Sequence, residues 1–223
     1  MFIVCEGIDK SGKTTVARRL AERIGSRAIY REFPDRTTPS GKVIDAFLHG
    51  NASVCYFQQP TGQTFQSEEY QWQRDERMQA IALQALMSVN KIEAARWISD
   101  KQLDGKVVVT SRWVPSALVY GAVDGCDAEW LRSIHYGLPE PTLCFLLDVP
   151  AGVAIARGAG ESETYETGAR LTAARERYLD LWQQMRLSNG NWRQIDATRT
   201  PDEVFAEVCA WYEARLQRSL DPR

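Results

Sequence analysis

The stretch that decides the fold is GIDKSGKT, residues 7–14. Its spacing matches Gly-x-x-x-x-Gly-Lys-[Ser/Thr] without a mismatch, a pattern typical of loops that bind nucleoside triphosphates. An apolar run at 2–5 precedes it, and a helical apolar pattern of Val16, Leu20 and Ile24 follows it. In such a strand, turn and helix, backbone N–H groups and the positive end of the helix face an anion. We therefore predict a P-loop here.

The residue types inside the loop predict how the phosphates and a metal ion are held. Gly7 and Gly12 let the backbone curl so that successive amides point inward. Lys13 is expected to reach the β- and γ-phosphates, and the Thr14 hydroxyl is the predicted Mg²⁺ ligand. The P-loop does not identify the reaction, because kinases, GTPases and motor ATPases share it.

Five short apolar runs predict the sheet, at residues 2–5, 28–32, 106–110, 143–148 and 192–196. Their β-branched and aromatic content, with little alternation, is typical of strands that are covered on both faces. Helical patterns lie between them, and Thr200, Pro201 and Glu203 form a helix-start signal with a capping box. We predict an α/β fold of three layers. It has a five-stranded parallel sheet with helices on both faces, in one domain over residues 1–223.

Composition and charge limit the possible partners. The chain has 223 residues, 44% of them apolar and 25% charged, with a net charge of −2. This balance gives no electrostatic reason to expect a nucleic-acid partner, although a local patch is compatible with it. Five scattered cysteines without a Cys-x-x-Cys pair favour free thiols over a zinc site or disulfides. No apolar stretch approaches a membrane span, so we expect a cytoplasmic protein.

The region from 51 to 100 departs from the regular alternation. Residues 51–66 have loop composition, and residues 67–100 have a mostly helical pattern. The range 51–78, with several aromatic side chains, resembles an insert. One stripe of this helix contains Met78, Ile81, Ala85, Val89 and Ile92. A helix of that length needs a second surface or a break near 72–75, so a dimer interface and a helix crossing the sheet are both open.

A second polar segment, FPDRTTPSGKVID at 33–45, precedes another predicted helix. Arg36 beside a helix start is suited to clamp a second phosphate. It could equally be a solvated loop arginine. The segment alone does not decide between the two.

The chain resembles thymidylate kinases, of the nucleoside monophosphate kinase family, over nearly its whole length. The similarity is closer to the eukaryotic and poxviral type. The matching stretches are EGIDKSGKTT (6–15), FPDRTTPSGKVID (33–45), SVNKIEAA (88–95), VVVTSRWVPSALVY (107–120), YGLPEP (136–141), FLLDVP (145–150), RGAGESETYE (157–166) and QIDAT (194–198).

The resemblance implies transfer of the ATP γ-phosphate to dTMP, with Mg²⁺, in a homodimer. It implies catalytic roles for Asp9, Lys10, Lys13 and Arg112. The implied ATP-binding residues are Gly7, Ile8, Asp9, Lys10, Ser11, Gly12, Lys13, Thr14, Thr15 and Arg157. The implied acceptor-binding residues are Asp9, Phe33, Arg36, Met87, Lys91, Arg112, Ser116, Tyr120 and Tyr165.

Lys10 has a specific expected role. Phosphoryl transfer requires a cation near the transferred group. The expected lid at 158–168, GAGESETYETG, contains no Lys or Arg, whereas the P-loop contains Lys10. We therefore expect the P-loop to supply the cation, with assistance from Arg157.

Three departures from the family pattern concern the substrate. Ser111 stands where the family has an aspartate, so Mg²⁺ is expected to depend chiefly on Thr14, phosphates and water. Met87 and Lys91 stand where the family has a stacking aromatic and a base-reading arginine. Another or modified pyrimidine nucleotide, a nucleoside or a DNA base are alternative acceptors. A non-enzymatic P-loop switch is a further alternative, but it leaves Arg36 without an anion.

Overall fold

The structure is a computed structural model that describes residues 1–48, 76–158, 167–188 and 190–220. Most of the insert-like region at 51–78 and residues 159–166 of the expected lid lie outside these ranges. Five strands are present: β1 (Phe2–Glu6), β2 (Ala28–Glu32), β3 (Val107–Ser111), β4 (Leu143–Asp148) and β5 (Trp192–Asp196). Each of them coincides with a predicted run to within one residue.

The five strands form one parallel sheet in the order β2-β3-β1-β4-β5. The P-loop strand β1 therefore lies in the centre, and its five residues are all buried. Because parallel strands end at the same edge, the carboxyl ends of β1, β2 and β3 lie side by side. The predicted five-stranded parallel sheet is confirmed.

The helices are α1 (Lys13–Ile24), α2 (Pro39–Leu48), α3 (Glu76–Leu103), α4 (Val114–Val123), α5 (Ala128–Ile134), α6 (Ala151–Ala156), α7 (Gly168–Ser188) and α8 (Pro201–Leu220). Helix α1 packs on β1, β2 and β3 and against α8. Helix α3 packs on β3. Helix α7 packs on β4 and β5 and against α4. The main core contains buried residues of β1, β3, β4 and β5, and the half-buried Ala28 and Tyr30 of the edge strand β2 pack against it.

Helix α3 buries a different stripe from the apolar one in the sequence. Its buried residues include the polar side chains of Gln84, Asn90 and Lys91. Three residues of the apolar stripe, Met78, Val89 and Ile92, are exposed, with relative accessibilities of 42%, 45% and 55%. Within the described residues, this part of the stripe expected to need a second surface is thus only partly covered. None of the described helices is both long enough and apolar enough to cross a bilayer.

Candidate active site

The P-loop wraps tightly around the end of the central strand. Gly7 has a φ of 137°, and a Cβ there would lie 2.5 Å from the carbonyl oxygen of Leu147. Gly12 caps α1 in the left-handed region, at a φ of 96°. These two positions need glycine because of steric contact and backbone conformation, respectively.

The Lys13 side chain lies inside the loop instead of extending into solvent. It is 6% exposed, and its Nζ donates to the carbonyl oxygen of Ile8 at 2.6 Å. The same Nζ lies 3.6 Å from Asp9 Oδ1. An ammonium group is thus held at the mouth of the loop, where a bound phosphate would face it.

Lys10 is exposed and has a φ of 56°, which is uncommon for a residue other than glycine. Its carbonyl oxygen accepts a bond of 3.5 Å from Arg157 Nη1, and Arg157 Nη2 donates to Ala197 at 2.9 Å. The structure therefore brings Arg157 next to the P-loop, and Lys10 presents its side chain to the open side. Thr15, another predicted nucleotide-binding residue, is exposed in the first turn of α1.

Arg112 joins the P-loop to the third strand. It lies just after β3 with a φ of 65°, and its guanidinium donates to Asp9 Oδ1 and to Ser116 Oγ at 3.3 Å. Its guanidinium carbon lies 5.2 Å from the centre of the Tyr120 ring. Asp9 was predicted from the P-loop segment and Arg112, Ser116 and Tyr120 from the segment at 107–120, and the structure brings the two segments together.

Glu6 contacts this cluster from the buried interior. The sequence alone predicted no role for it. Its carboxylate is fully buried and accepts bonds from the Trp113 amide at 2.7 Å, Ser116 Oγ at 2.6 Å and Tyr178 Oη at 3.0 Å. Burial and the nearby Glu6 raise the pKa of Tyr178 well above its usual value. The available signal was a carboxylate directly after a buried strand.

The segment at 33–45 is fixed to α3 by Asn90, a second residue without a predicted role. The Asn90 amide accepts from the Asp35 amide at 2.7 Å and donates to the Asp35 carbonyl, Thr38 Oγ1 and Ser40 Oγ at 2.9–3.1 Å. A Cβ on Gly41 would lie 1.8 Å from the Asp35 carbonyl oxygen. The loop that contains Arg36 is therefore anchored to α3 by Asn90 and packs closely on α2 at Gly41.

A cavity of about 770 Å³ lies between this loop, α3 and α4. The predicted acceptor residues that line it are Asp9, Phe33, Arg36, Met87, Lys91, Arg112, Ser116 and Tyr120. Tyr165 lies outside the described residues. Every acceptor residue that the structure describes therefore faces one cavity, which reaches the P-loop at Asp9.

The cavity lining contains polar side chains of α3 and α7. Lys91 is 4% exposed, its Nζ donates to the Met87 carbonyl oxygen at 3.0 Å, and burial lowers its pKa to about 8. Gln84, also in the lining, has a buried Oε1 atom without a hydrogen-bond partner in the described structure. Arg170, a further lining residue, forms a two-pronged ion pair with Asp124. Sequence reasoning assigned no role to Gln84 or Arg170.

The surroundings of Thr14 fit Mg²⁺, which takes oxygen ligands and keeps several waters. Thr14 Oγ1 lies 3.0 Å from Glu32 Oε1 and 3.3 Å from Ser111 Oγ. In the described part of the chain, no group of three His, Cys, Asp or Glu side chains could hold a metal by itself. Phosphate and water oxygens would therefore complete the coordination around Thr14.

Comparisons with known proteins agree with this geometry. A family model described as thymidylate kinase matches residues 5–56 and 52–208. The thymidylate kinase of Danio rerio is 30% identical over 211 residues, covering 93% of this chain and 87% of the relative. That of Homo sapiens is 28% identical over 225 residues, covering 99% and 93%.

A solved structure of thymidylate kinase from Candida albicans superposes with a TM-score of 0.77. It is 23% identical and covers 96% of this chain and 91% of its own. This likeness shows the shared P-loop fold. Together with the family match over most of the sequence, it leads to one conclusion: the chain belongs to the thymidylate kinase family.

Proposed function

We propose that this chain transfers the γ-phosphoryl group of ATP to dTMP and releases ADP and dTDP. The proposal rests on one observation, which is that the acceptor cavity and the P-loop meet. The cavity lined by Arg36 and Lys91 reaches the P-loop at Asp9, which Arg112 contacts directly. An acceptor phosphate placed between Arg36 and Arg112 would face the γ-phosphate held by the P-loop.

The chemical roles follow from charge and position. Lys13 and the loop amides hold the β- and γ-phosphates, and Lys10 approaches the transferred group from the exposed side of the loop. Arg112 contacts phosphate at the transfer point, while Asp9 fixes the Arg112 guanidinium and contacts the acceptor sugar. The chemistry that Mg²⁺ supplies when bound is compensation of the phosphate charge. Catalysis here consists of positioning and charge stabilisation.

Met87 and Lys91 are the residues proposed to contact the acceptor base. Met87 can pack on a pyrimidine ring, and Lys91 can donate to a base carbonyl, although without the two-pronged geometry of arginine. The cavity lies against α3 and the loop at 33–45, and its volume of about 770 Å³ is in the range of small-molecule sites, which favours a single nucleotide over a base within a polymer. We place dTMP first on this basis.

The wider organisation is proposed on similar grounds. One kinase domain over 1–223, with a lid at 158–168 that contributes Tyr165, accounts for a site built from segments along the whole chain. The exposed stripe of Met78, Val89 and Ile92 supports a homodimer. Cys5, Cys126, Cys144 and Cys209 are buried free thiols, which supports a reducing, cytoplasmic location.

A panel assay tests the function directly. The protein is incubated with Mg²⁺ and ATP together with nucleoside monophosphates, nucleosides or single-stranded DNA, and ADP and phosphorylated product are measured. We expect dTMP to give the highest kcat/KM, and Lys13→Ala to abolish transfer. A higher kcat/KM for another acceptor would replace dTMP in the proposal. ADP formation that is independent of every acceptor would contradict a kinase and favour a switch.

A further inference from the structure

Glu32 occupies a position at the nucleotide site to which the proposed function assigns no role. It is the last residue of β2 and pairs in register with Ser111, the last residue of β3. Ser111 in turn pairs with Cys5 of β1, the strand that leads into the P-loop. The parallel register therefore brings the Glu32 carboxylate to the edge of the sheet where the P-loop begins.

The two carboxylate oxygens of Glu32 have different partners. Oε1 accepts a hydrogen bond of 3.0 Å from the Thr14 hydroxyl. Oε2 accepts a longer bond of 3.4 Å from Tyr30 Oη and lies 3.9 Å from Arg18 Nη2. The shorter contact is the one with the P-loop hydroxyl. Tyr30 donates to the opposite oxygen and so orients the carboxylate, whereas Arg18 lies beyond hydrogen-bond distance of it.

Ser111 explains why a residue of β2 can reach this far. Ser111 lies on β3, between Glu32 and the P-loop strand, and its Oγ is 3.3 Å from Thr14 Oγ1. A side chain this short leaves room above the end of β3. The longer glutamate side chain extends from the neighbouring strand end into that room and reaches Thr14.

We propose that Glu32 is the acidic positioning residue of the magnesium site. In P-loop nucleotide sites, an acidic side chain generally acts together with the loop Ser or Thr to hold the ion. Here Glu32 accepts a hydrogen bond from the Thr14 hydroxyl, so the lone pairs of Oγ1 would remain free for Mg²⁺. Its negative charge would also favour a hydrated cation beside Thr14. Glu32 acts through Thr14 and water and does not touch the reacting atoms.

The competing explanation is that Glu32 only balances the charge of Arg18. This pair is a weak candidate, because the side chains are 59% and 48% exposed and 3.9 Å apart. Solvent-exposed ion pairs of this kind contribute little. Arg18→Gln removes the pair and leaves the contact of Glu32 with Thr14 intact, so it is the matched control.

The inference rests on the proposed ATP site, and its test measures metal binding without any acceptor. Mn²⁺, as a probe for Mg²⁺, is titrated by electron paramagnetic resonance into protein saturated with a non-hydrolysable ATP analogue. For Glu32→Gln we expect about 10–100-fold weaker Mn²⁺ binding, the scale seen for outer-shell partners of metal ligands. Analogue affinity in EDTA should be unchanged, and Arg18→Gln should bind Mn²⁺ as the wild type does.

Two further variants keep the test decisive if thermal melting shows that Glu32→Gln is poorly folded. Glu32→Asp keeps the charge but withdraws the carboxylate from Thr14, and should also weaken Mn²⁺ binding. Ser111→Asp combined with Glu32→Gln places a carboxylate next to Thr14 again and should restore it. Wild-type Mn²⁺ affinity in Glu32→Gln and Glu32→Asp, or an equal loss in Arg18→Gln, would overturn the inference. Failure to phosphorylate dTMP would affect only the proposed function.

Discussion

Arg36 Nη1 lies 2.6 Å from Asp45 Oδ1, so the arginine proposed to bind the acceptor phosphate is paired with a carboxylate of α2. Both side chains are nearly half exposed. Surface ion pairs of this type contribute about 0–1 kcal/mol, whereas hydrogen bonds to charged groups contribute about 1.5–3 kcal/mol. A phosphate entering the cavity can therefore displace Asp45 at small cost.

The first prediction concerns this exchange. Asp45→Asn removes the competitor for the guanidinium and should lower the KM for dTMP by up to about fivefold, the factor that corresponds to 1 kcal/mol. Arg36→Ala should raise that KM by at least about tenfold. Asp100→Asn, which breaks the exposed pair with Arg96 on α3, serves as control. An unchanged KM in Arg36→Ala, measured by steady-state kinetics, would remove Arg36 from the acceptor site.

The second prediction concerns Lys10. Lys10→Ala should leave ATP binding largely intact and lower kcat by about 10²–10³, the scale of removing one preorganised charge contact. Because Lys10 has a φ of 56°, alanine could also disturb the loop backbone. Lys10→Gly removes the same charge and adopts this φ readily. We expect equal losses in single-turnover rates; recovery of the rate in the glycine variant would assign the defect to the backbone.

The sequence predicted the strands well because their signal is local. A buried strand of a parallel sheet is a continuous apolar run, and β4 begins and ends where its run does. The start of α8 was equally local. Thr200 and Glu203 form the predicted capping box, with bonds from the Thr200 amide at 3.0 Å and the Glu203 amide at 3.4 Å.

The parts of the site that were missed depend on which strands are neighbours. Glu32 contacts Thr14 because β2 lies beside β3 in register. The apolar runs in the sequence predict the strands but not the order of the strands in the sheet. Glu6 and Asn90 look like ordinary polar residues at a strand end and in a helix. Their roles depend on partners far along the chain, such as Tyr178 for Glu6 and Asp35 for Asn90.

The third prediction concerns Asn90 and the stability of the loop at 33–45. Asn90→Ala leaves the Asp35 amide and its carbonyl without their buried partner, which costs about 1–3 kcal/mol. For a chain of this length, that corresponds to a fall in Tm of about 2–12 °C. Ser99→Ala, which removes a bond within α3, should change Tm little. Calorimetry measures both, and a loss confined to Ser99→Ala would contradict this role of Asn90.

The fourth prediction concerns assembly through the exposed stripe of α3. Light scattering at micromolar concentration should give the mass of a dimer, because the exposed side chains of Met78, Val89 and Ile92 gain stability by burial. Ile92→Glu should shift the mass toward the monomer. Leu187→Glu places the same charge on an exposed apolar position of α7 and should not. A monomeric mass for the wild type would exclude this interface.

The last prediction concerns Lys91, whose pKa burial lowers from 10.5 to about 8. Between pH 8 and pH 10.5 the Lys91 side chain is protonated in the unfolded chain and largely neutral in the folded chain. The contribution of Lys91 to the free energy of unfolding therefore rises with pH over this range. Below pH 8 the folded protein holds a charged, buried lysine at a cost. Lys91→Met should therefore be more stable than wild type at pH 7 by roughly 2–4 kcal/mol. In urea titrations this difference should shrink as pH rises through that window.

The protonation of Lys91 should also affect the pH dependence of activity, because its ammonium group lines the acceptor cavity. If the charged form binds the base carbonyl, kcat/KM for dTMP should fall as pH rises through about 8, where the folded protein loses this proton. Lys91→Arg stays charged throughout that range, so its profile should be flat there even if its maximum is lower. Rates for both proteins at saturating ATP between pH 6.5 and 9.5 make the comparison. Parallel declines would assign the pH dependence to another group and leave Lys91 a role in stability alone.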